Sequence, residues 1–336
     1  MRNTLNTFFS YFLLPVRTAR FLLISLYPVF VVLGKKGYWY KCKAINFVQY
    51  YSKEHILRGA EENKIMMIRE GLYNYFVFNV CFLDNMLSCI VHALSNGYIP
   101  VIQLDHRKTG WNDWDVFFNQ PFIENDTNQA IETVNCDVKV GYLTSSYRSP
   151  FVPNEFKIWC KLYKDFVIFN QKTKDYLESE YTNLIKPGMR IIGVKCRGTD
   201  YITKKPKNHP VQPEVAELIN LTKVKMMELN IQYVFLATEE KRIAAQFQQE
   251  FPDQVLVNEQ CYYDEIYYKN SLNCSWEVSF ERNNDNYLKG IEYLSSIYLL
   301  SKCNALIAGN CGGSRAALYM NDMKYEYWKL FDLGVY

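Results

Sequence analysis

The chain has 336 residues, which is enough for two domains of ordinary size. Hydrophobic residues make up 49% and charged residues 22%, and this excludes a disordered or collagen-like chain. The net charge of +3 gives no reason to expect a nucleic-acid partner. None of the ten cysteines forms a C-x-x-C pair, so we expect free, buried thiols in a reducing compartment. The four scattered histidines do not predict a zinc site.

The N-terminal segment, residues 1–37, is apolar and edged by basic residues. Its longer apolar run, "FLLISLYPVFVVLG", is shorter than the roughly 20 residues of a spanning helix, and Pro28 interrupts it. Two interpretations remain open: a segment lying on a membrane surface, or an apolar helix packed on the domain that follows. The first predicts a cytoplasmic protein held on the cytoplasmic face of the membrane, with a Golgi-type membrane protein as the alternative.

Residues 38–185 predict an N-terminal Rossmann-like domain. A strand at 75–82, a helix from Asp84 and a strand at 98–104 form a β-α-β unit, which implies a parallel sheet. Residues 105–150 are polar and irregular, and 159–181 read as one helix.

Three aromatic residues in the irregular part, Trp111, Trp114 and Phe117, follow at helical spacing. They are either a platform for a sugar acceptor or part of the core.

Residues 186–336 alternate strongly between strand and helix patterns. The predicted strands are 191–196, 231–237, 254–258 and 304–308, and the predicted helices are 213–229, 239–250, 286–302 and 313–320. Such alternation is typical of a doubly wound parallel sheet. The predicted fold is therefore α/β, with two Rossmann-like domains facing a cleft.

The first strand of this second domain runs directly into polar residues. Arg197, Thr199 and Asp200 follow "IIGVKC", at the strand end where ligands bind in open α/β sheets. The planar fork of an arginine suits a phosphate, and a threonine hydroxyl adds a donor. The alternative is a structural Arg–Asp ion pair that closes the strand.

Three more stretches carry polar groups to the same edge. His209 lies in the loop "KNHPVQP", and Thr238 and Glu239 end the strand of "VFLATEE". The third stretch is a glycine-rich turn before the last predicted helix, with Cys311, Gly312, Gly313 and Ser314. Backbone N–H groups at such a helix start favour anions. Together these stretches predict an anion-binding site.

The order "KCRGTDY … HP … VFLATEE … LSKCNALIAGNCGGSRAALY" over residues 190–320 resembles the superfamily of α1,6-fucosyltransferases and O-fucosyltransferases. The stretches "NGYIPVI" and "WNDWDVFFNQPF" also look like the acceptor-side domain of bacterial relatives. The resemblance implies a GT-B fold and an inverting transfer from GDP-fucose without a bound metal or other cofactor. The implied acceptor is a glycan, such as a surface polysaccharide or a lipid-linked oligosaccharide.

The resemblance also implies roles for single residues. Arg197 matches the arginine that neutralises the donor pyrophosphate, and Asp200 matches its companion acid. His209 matches the histidine of the His-Pro loop, and Thr238 and Glu239 match a Thr-Asp pair after the next strand. Cys311 and Gly312 stand where a phosphate-contacting Ser-Ser pair is usual.

Two positions depart from the family pattern. Lys195 replaces the usual histidine at the head of the first motif, and Ser296 stands where an acid reads the guanine base. Glu292, one helical turn earlier, is the candidate substitute for that acid. These departures keep two alternatives open: another nucleotide-sugar donor, or an inactive relative that binds glycans.

An inverting transfer needs a base that takes the proton of the acceptor hydroxyl. The candidates are Asp105, His106, Asp113, Asp115 and Glu239, and the sequence does not choose among them. The stretch "NNDNY" at 283–287 is interpreted as a loop and helix cap rather than a Mg²⁺ site.

Overall fold

The computed structural model describes residues 65–69, 81–95, 98–104, 114–121, 130–135 and 153–336. The predicted membrane-surface segment lies outside these residues, as does most of the polar stretch 105–150. None of the described helices is both long and apolar enough to cross a membrane.

The first sheet has three described strands, all parallel: β1 (Ile65–Arg69), β2 (Ile99–Ile102) and β3 (Ala130–Asn135), in the order β2-β1-β3. Helix α1 (Cys81–Ser95) connects β1 to β2. The predicted β-α-β unit is confirmed.

The bounds of its first strand were wrong. The strand is "IMMIR", which was not predicted, whereas Cys81 and Phe82 of the predicted strand 75–82 already belong to α1. The rest of that stretch lies outside the described residues. The helix starts before Asp84 because the apolar residues of "CFLDNMLSCIVHAL" fit one helical pattern, with Met86, Leu87 and Ile90 fully buried.

The single helix predicted at 159–181 is in fact two helices, α2 (Pro153–Phe166) and α3 (Gln171–Leu184). The side chain of Asn170 accepts a hydrogen bond from the Thr173 backbone N–H at 2.9 Å and so caps the start of α3. This local bond explains why a pattern that is helical in its periodicity is interrupted.

The second sheet has five parallel strands in the order β6-β5-β4-β7-β8. They are β4 (Ile191–Lys195), β5 (Tyr233–Ala237), β6 (Val255–Leu256), β7 (Ala305–Gly309) and β8 (Tyr327–Phe331). The four predicted strands are confirmed, and β8 is a fifth strand that was not predicted. The chain leaves β4 in one direction and returns to its other side at β7, so a topological switch point lies between these two strands.

The helices of this half are α4 (Asp200–Thr203), α5 (Val215–Glu228), α6 (Lys241–Glu250), α7 (Asp264–Lys269), α8 (Asp285–Ser301) and α9 (Gly312–Met320). The predicted helices 213–229, 239–250, 286–302 and 313–320 are confirmed as α5, α6, α8 and α9. The stretch 283–287 is a loop and helix start as predicted, with Asn284 at the N-cap of α8.

Strand β4 is buried on both faces, which fits its continuous apolar sequence. Ile192 and Val194 belong to one core cluster, while Gly193 faces α8. A Cβ atom at Gly193 would lie 2.9 Å from Leu300 Cδ2, so the glycine lets α8 pack directly on the strand. This packing holds α8 beside the carboxyl end of β4.

Trp114 and Phe117 are buried, which confirms the core interpretation for these two aromatic residues. The stretch 114–121 is a series of turns and not a helix. The ring of Phe117 stacks on Tyr287 of α8 at 5.5 Å, so this stretch packs against the second half of the chain. The structure also contains free, buried thiols as expected, at Cys89, Cys160, Cys196, Cys303 and Cys311.

Candidate functional site

The candidate site lies at the carboxyl ends of β4, β5 and β7. Strand β4 ends at Lys195, two residues before Arg197, and β7 ends at Gly309, three residues before α9 begins. The crevice at the switch point between β4 and β7 is therefore bordered by Arg197 on one side and by the N-terminus of α9 on the other.

Arg197 is held by three partners. Its Nη2 lies 3.0 Å from Asp200 Oδ1 and donates to Ser275 Oγ at 2.8 Å, and its Nη1 lies 3.1 Å from Glu239 Oε1. The Arg–Asp pair that the sequence left open does exist, and it is extended by Glu239 from the neighbouring strand. Ser275 was missed, because nothing in the stretch "CSWE" marks it as a partner of a residue 78 positions away.

The pKa values of Arg197 and Glu239 are shifted so that each side chain keeps its charge. Burial alone would lower the pKa of Arg197, but Glu239 and Asp200 raise that pKa well above its ordinary value. Burial alone would raise the pKa of Glu239, but Arg197, Lys195 and the Gly198 N–H together hold that pKa below 4.5. Arg197 and Glu239 are therefore both ionised at neutral pH.

The backbone after Arg197 is fixed by two adjacent carboxylates. The N–H of Gly198 donates to Glu239 Oε1 at 2.8 Å, and the N–H of Thr199 donates to Glu240 Oε1 at 2.5 Å. A Cβ atom at Gly198 would lie 2.3 Å from Glu240 Oε1, so only glycine fits there.

Thr199 has φ 45°, which is rare for a β-branched residue. Its hydroxyl donates to Asp200 Oδ1 at 3.0 Å or to Glu239 Oε1 at 3.2 Å. Backbone strain of this kind persists only where the surroundings impose it, and it is concentrated at functional sites.

Thr238 and Glu240 shape the end of β5. The Thr238 hydroxyl accepts from the Glu240 N–H at 3.3 Å, and its carbonyl accepts from Gln260 Nε2 at 2.8 Å. Glu240 is completely buried and also accepts from the Tyr268 hydroxyl at 2.8 Å and from Arg242 at 2.6 Å. Both residues thus stabilise the turn itself, and this role of Glu240 was not predicted.

His209 reaches the site through an aromatic contact. Its ring meets that of Tyr201 edge-on at 5.4 Å, and Tyr201 lies 5.0 Å from the Arg197 guanidinium. The same loop is attached to the end of β7, because Gln212 Nε2 donates to the Asn310 carbonyl at 3.0 Å. The predicted convergence of these strand ends is therefore present in the structure.

The glycine-rich turn presents the N-terminus of α9. Cys311 is the N-cap residue, and its side chain does not cap the helix. Ser314 is fully buried, and its hydroxyl donates to the Gly309 carbonyl at 2.6 Å. At Gly313 a Cβ atom would come within 2.8 Å of the Tyr293 hydroxyl, so the glycine allows Tyr293 to cover this turn. The backbone N–H groups of Gly312 and Gly313 are the donors that suit an anion here.

The two residues considered for base recognition are already bonded. Both oxygens of Glu292 accept from Arg282, at 2.5 and 3.1 Å, and the Ser296 hydroxyl donates to the Tyr293 carbonyl at 2.8 Å. Burial raises the pKa of Tyr263, and the carboxylates of Glu292 and Glu239 raise it further. Its hydroxyl is therefore a donor at neutral pH.

Of the candidate bases, Glu239 and Asp115 are described. Glu239 is a poor base because its pKa is lowered. Asp115 is exposed and accepts from Gln120 Nε2 at 2.7 Å, and Gln120 also bonds the Ile102 backbone at the end of β2. Asp105, His106 and Asp113 lie outside the described residues.

Within the described ranges, no group of three or more His, Cys, Asp or Glu side chains is arranged to hold a metal ion.

Replacing Glu239 with Gln should make folding less stable at pH 7, by about 2–4 kcal/mol, because buried Arg197 loses a charged partner. The folded-state pKa of Glu239 is lowered, so its stabilisation is present above the ordinary value of 4.5 and is lost as the pH falls below it. The difference between wild type and E239Q, measured by urea unfolding at pH 7, 5, 4 and 3, should therefore shrink towards low pH. A difference that stays constant would contradict this, and exposed Glu217→Gln is the matched control.

Comparison with known proteins gives only distant structural likeness. The chain is similar to NodZ α1,6-fucosyltransferase soaked with GDP-fucose, with 15% identity, 76% of this chain and 92% of that chain covered, and a TM-score of 0.43. It is similar to a variant of Arabidopsis thaliana FUT1 in complex with GDP (10% identity, coverage 88% and 78%, TM-score 0.43) and to apo POFUT1 (9% identity, coverage 81% and 99%, TM-score 0.40). No protein-family model and no curated protein matches the chain. At such identities and scores the likeness by itself assigns neither reaction nor substrate.

Proposed function

We propose that the chain is an inverting, metal-independent glycosyltransferase that transfers fucose from GDP-fucose to a glycan acceptor. The observation that carries the proposal is the position of Arg197. It is permanently charged, fixed by Asp200 and Glu239, and stands at the switch point opposite the N-terminus of α9. The motif resemblance over residues 190–320 supports the donor class.

The chemistry of this class matches the groups at the crevice. When the glycosidic bond of a nucleotide sugar breaks, negative charge builds on the diphosphate that leaves. Arg197 and the N–H groups of Gly312 and Gly313 are fixed donors that can stabilise this charge. In this proposal Arg197 and Asp200 form the catalytic pair, because the arginine contacts the diphosphate and the aspartate orients it. Thr199, His209 and Thr238 shape the same binding site.

The acceptor is proposed to meet the donor from the first sheet. Asp115 lies near the carboxyl end of β2 through Gln120, and it is exposed as a base must be before the acceptor arrives. A surface polysaccharide or a lipid-linked oligosaccharide is the acceptor class that fits a membrane-surface N-terminal segment.

The donor is tested by thermal shift with GDP, UDP, CMP and dTDP. We expect GDP to raise the melting temperature most, because nucleotide that binds only the folded state stabilises it by mass action. The screen is needed because Glu292 and Ser296 are bonded within the protein and do not by themselves identify a base. Preference for another nucleotide would change the donor, whereas no shift with any nucleotide would contradict the enzyme and favour a glycan-binding relative. Released GDP in the presence of GDP-fucose and a glycan is the direct readout.

Replacing Arg197 with Ala should abolish the shift produced by GDP and lower the rate of GDP release by about a hundredfold or more. Arg197→Lys keeps the charge but not the fork, so we expect it to recover only part of both. Exposed Lys207→Ala on the following loop is the matched control for lost positive charge. If GDP shifts the melting temperature of R197A as much as that of the wild type, the assignment of Arg197 to the diphosphate is wrong.

The proposed membrane contact of residues 1–37 is tested by fractionation. The full chain should pellet with membranes and be released by carbonate or detergent, because a short apolar segment on the surface is held without spanning. A chain starting at Tyr38 should stay in the supernatant. Equal partitioning of the two chains would refute the anchor.

A further inference from the structure

We infer that Lys195 makes a second direct contact with the anionic part of the ligand, beside Arg197. The inference rests on the proposed function, since the ligand it assigns is the diphosphate of a nucleotide. Lys195 is the last residue of β4, and this residue is where the chain departs from the histidine of the family it resembles.

Lys195 is a buried charge with little to compensate it. Only 3% of the residue is exposed, and its ammonium lies 5.4 Å from the centre of the Tyr293 ring. Among the described residues it forms no hydrogen bond and no ion pair. Lysines are almost never buried without a partner, because a charged group loses much hydration energy in the protein interior.

The surroundings of Lys195 place it in the crevice. Tyr293, which its ammonium faces, also covers the first turn of α9 at Gly313. That turn carries no acidic residue and no side-chain cap. Lys195 therefore lies close to backbone donors that favour the same kind of ligand.

A role in neutralising Glu239 does not explain why a lysine is buried at position 195. The two charges are close enough for Lys195 to lower the pKa of Glu239, yet the ammonium does not bond to the carboxylate. Glu239 Oε2 is buried and has no hydrogen-bond partner in the described part of the chain, whereas Oε1 accepts from Gly198 and pairs with Arg197. A lysine whose role was to neutralise this acid would bond the unoccupied oxygen.

Arg197 differs from Lys195 in being already engaged. Its two terminal nitrogens contact Asp200, Glu239 and Ser275, so much of its donor capacity serves to hold the loop. Among the described residues, no acceptor uses the three N–H donors of Lys195. A phosphate oxygen is the acceptor that compensates a compact ammonium best, so the second cation of the site is assigned to the diphosphate.

The test compares Lys195→Met with Lys195→Arg in the full chain. Titration calorimetry is run with GDP, GMP and inorganic pyrophosphate, and the melting temperature is measured without ligand. Met fills the space of the lysine stem and removes only the charge. We expect K195M to bind GDP and pyrophosphate about tenfold or more weakly than the wild type, with a smaller loss of affinity for GMP. The preference for a diphosphate over a monophosphate should therefore be lost. K195R should keep most of that preference, and exposed Lys204→Met should behave as wild type.

The outcomes separate this inference from the proposed function. If K195M binds GDP as tightly as wild type while R197A does not, the role of Lys195 is overturned and the function stands. If the wild type binds no nucleotide but binds pyrophosphate, and K195M does not, the anion contact stands and the function fails. If the wild type binds none of the three probes, both fail. A melting temperature of ligand-free K195M that falls together with binding, without recovery in K195R, identifies a structural role and overturns the inference.

Discussion

Two buried carboxylates next to each other, Glu239 and Glu240, are the constraint on which the site depends. Adjacent buried carboxylates are costly unless each has its own cation and its own donors. Glu239 has Arg197 and the Gly198 N–H, and Glu240 has Arg242 and the Thr199 N–H. The loop after β4 thus follows the shape that the end of β5 requires. Glycine at 198 and the left-handed backbone at Thr199 are consequences of that requirement.

The sheet order converts this local arrangement into a crevice. Because β4 and β7 are neighbours whose connections leave in opposite directions, a crevice forms between their carboxyl ends. Arg197 lies on one side of the crevice, and α9 begins on the other side. Helix α8 packs on Gly193, and its Tyr293 lies at the border of the crevice. Loops that carry His209 and Ser275 complete the site, and each is attached to a strand end by a hydrogen bond or ring contact.

The sequence predicted most of the second sheet, because buried parallel strands and amphipathic helices carry strong periodic patterns. It also predicted that Arg197, Asp200 and Glu239 lie together at one edge of the sheet, because polar residues directly after apolar strands can be recognised in the sequence. It did not predict Ser275 or the role of Glu240, because these depend on contacts across 78 and 41 residues. It failed at β1 and at the break between α2 and α3 for a different reason: a five-residue strand has little periodicity, and the cap at Asn170 is a single local hydrogen bond.

The pairing of acids with bases has a consequence for how a ligand arrives. The loop after β4 and the end of β5 carry the cations Lys195, Arg197 and Arg242 and the carboxylates Asp200, Glu239 and Glu240, so the two signs are equal in number in this part of the crevice wall. Seen from beyond a Debye length, this surface exerts little pull on an anion, and the association rate gains little from electrostatic steering. Under the proposed function, recognition of the diphosphate takes place at short range, where individual donors are resolved, and ionic strength should act on the encounter only weakly. A site built in this way selects its ligand by fit rather than by attraction from a distance.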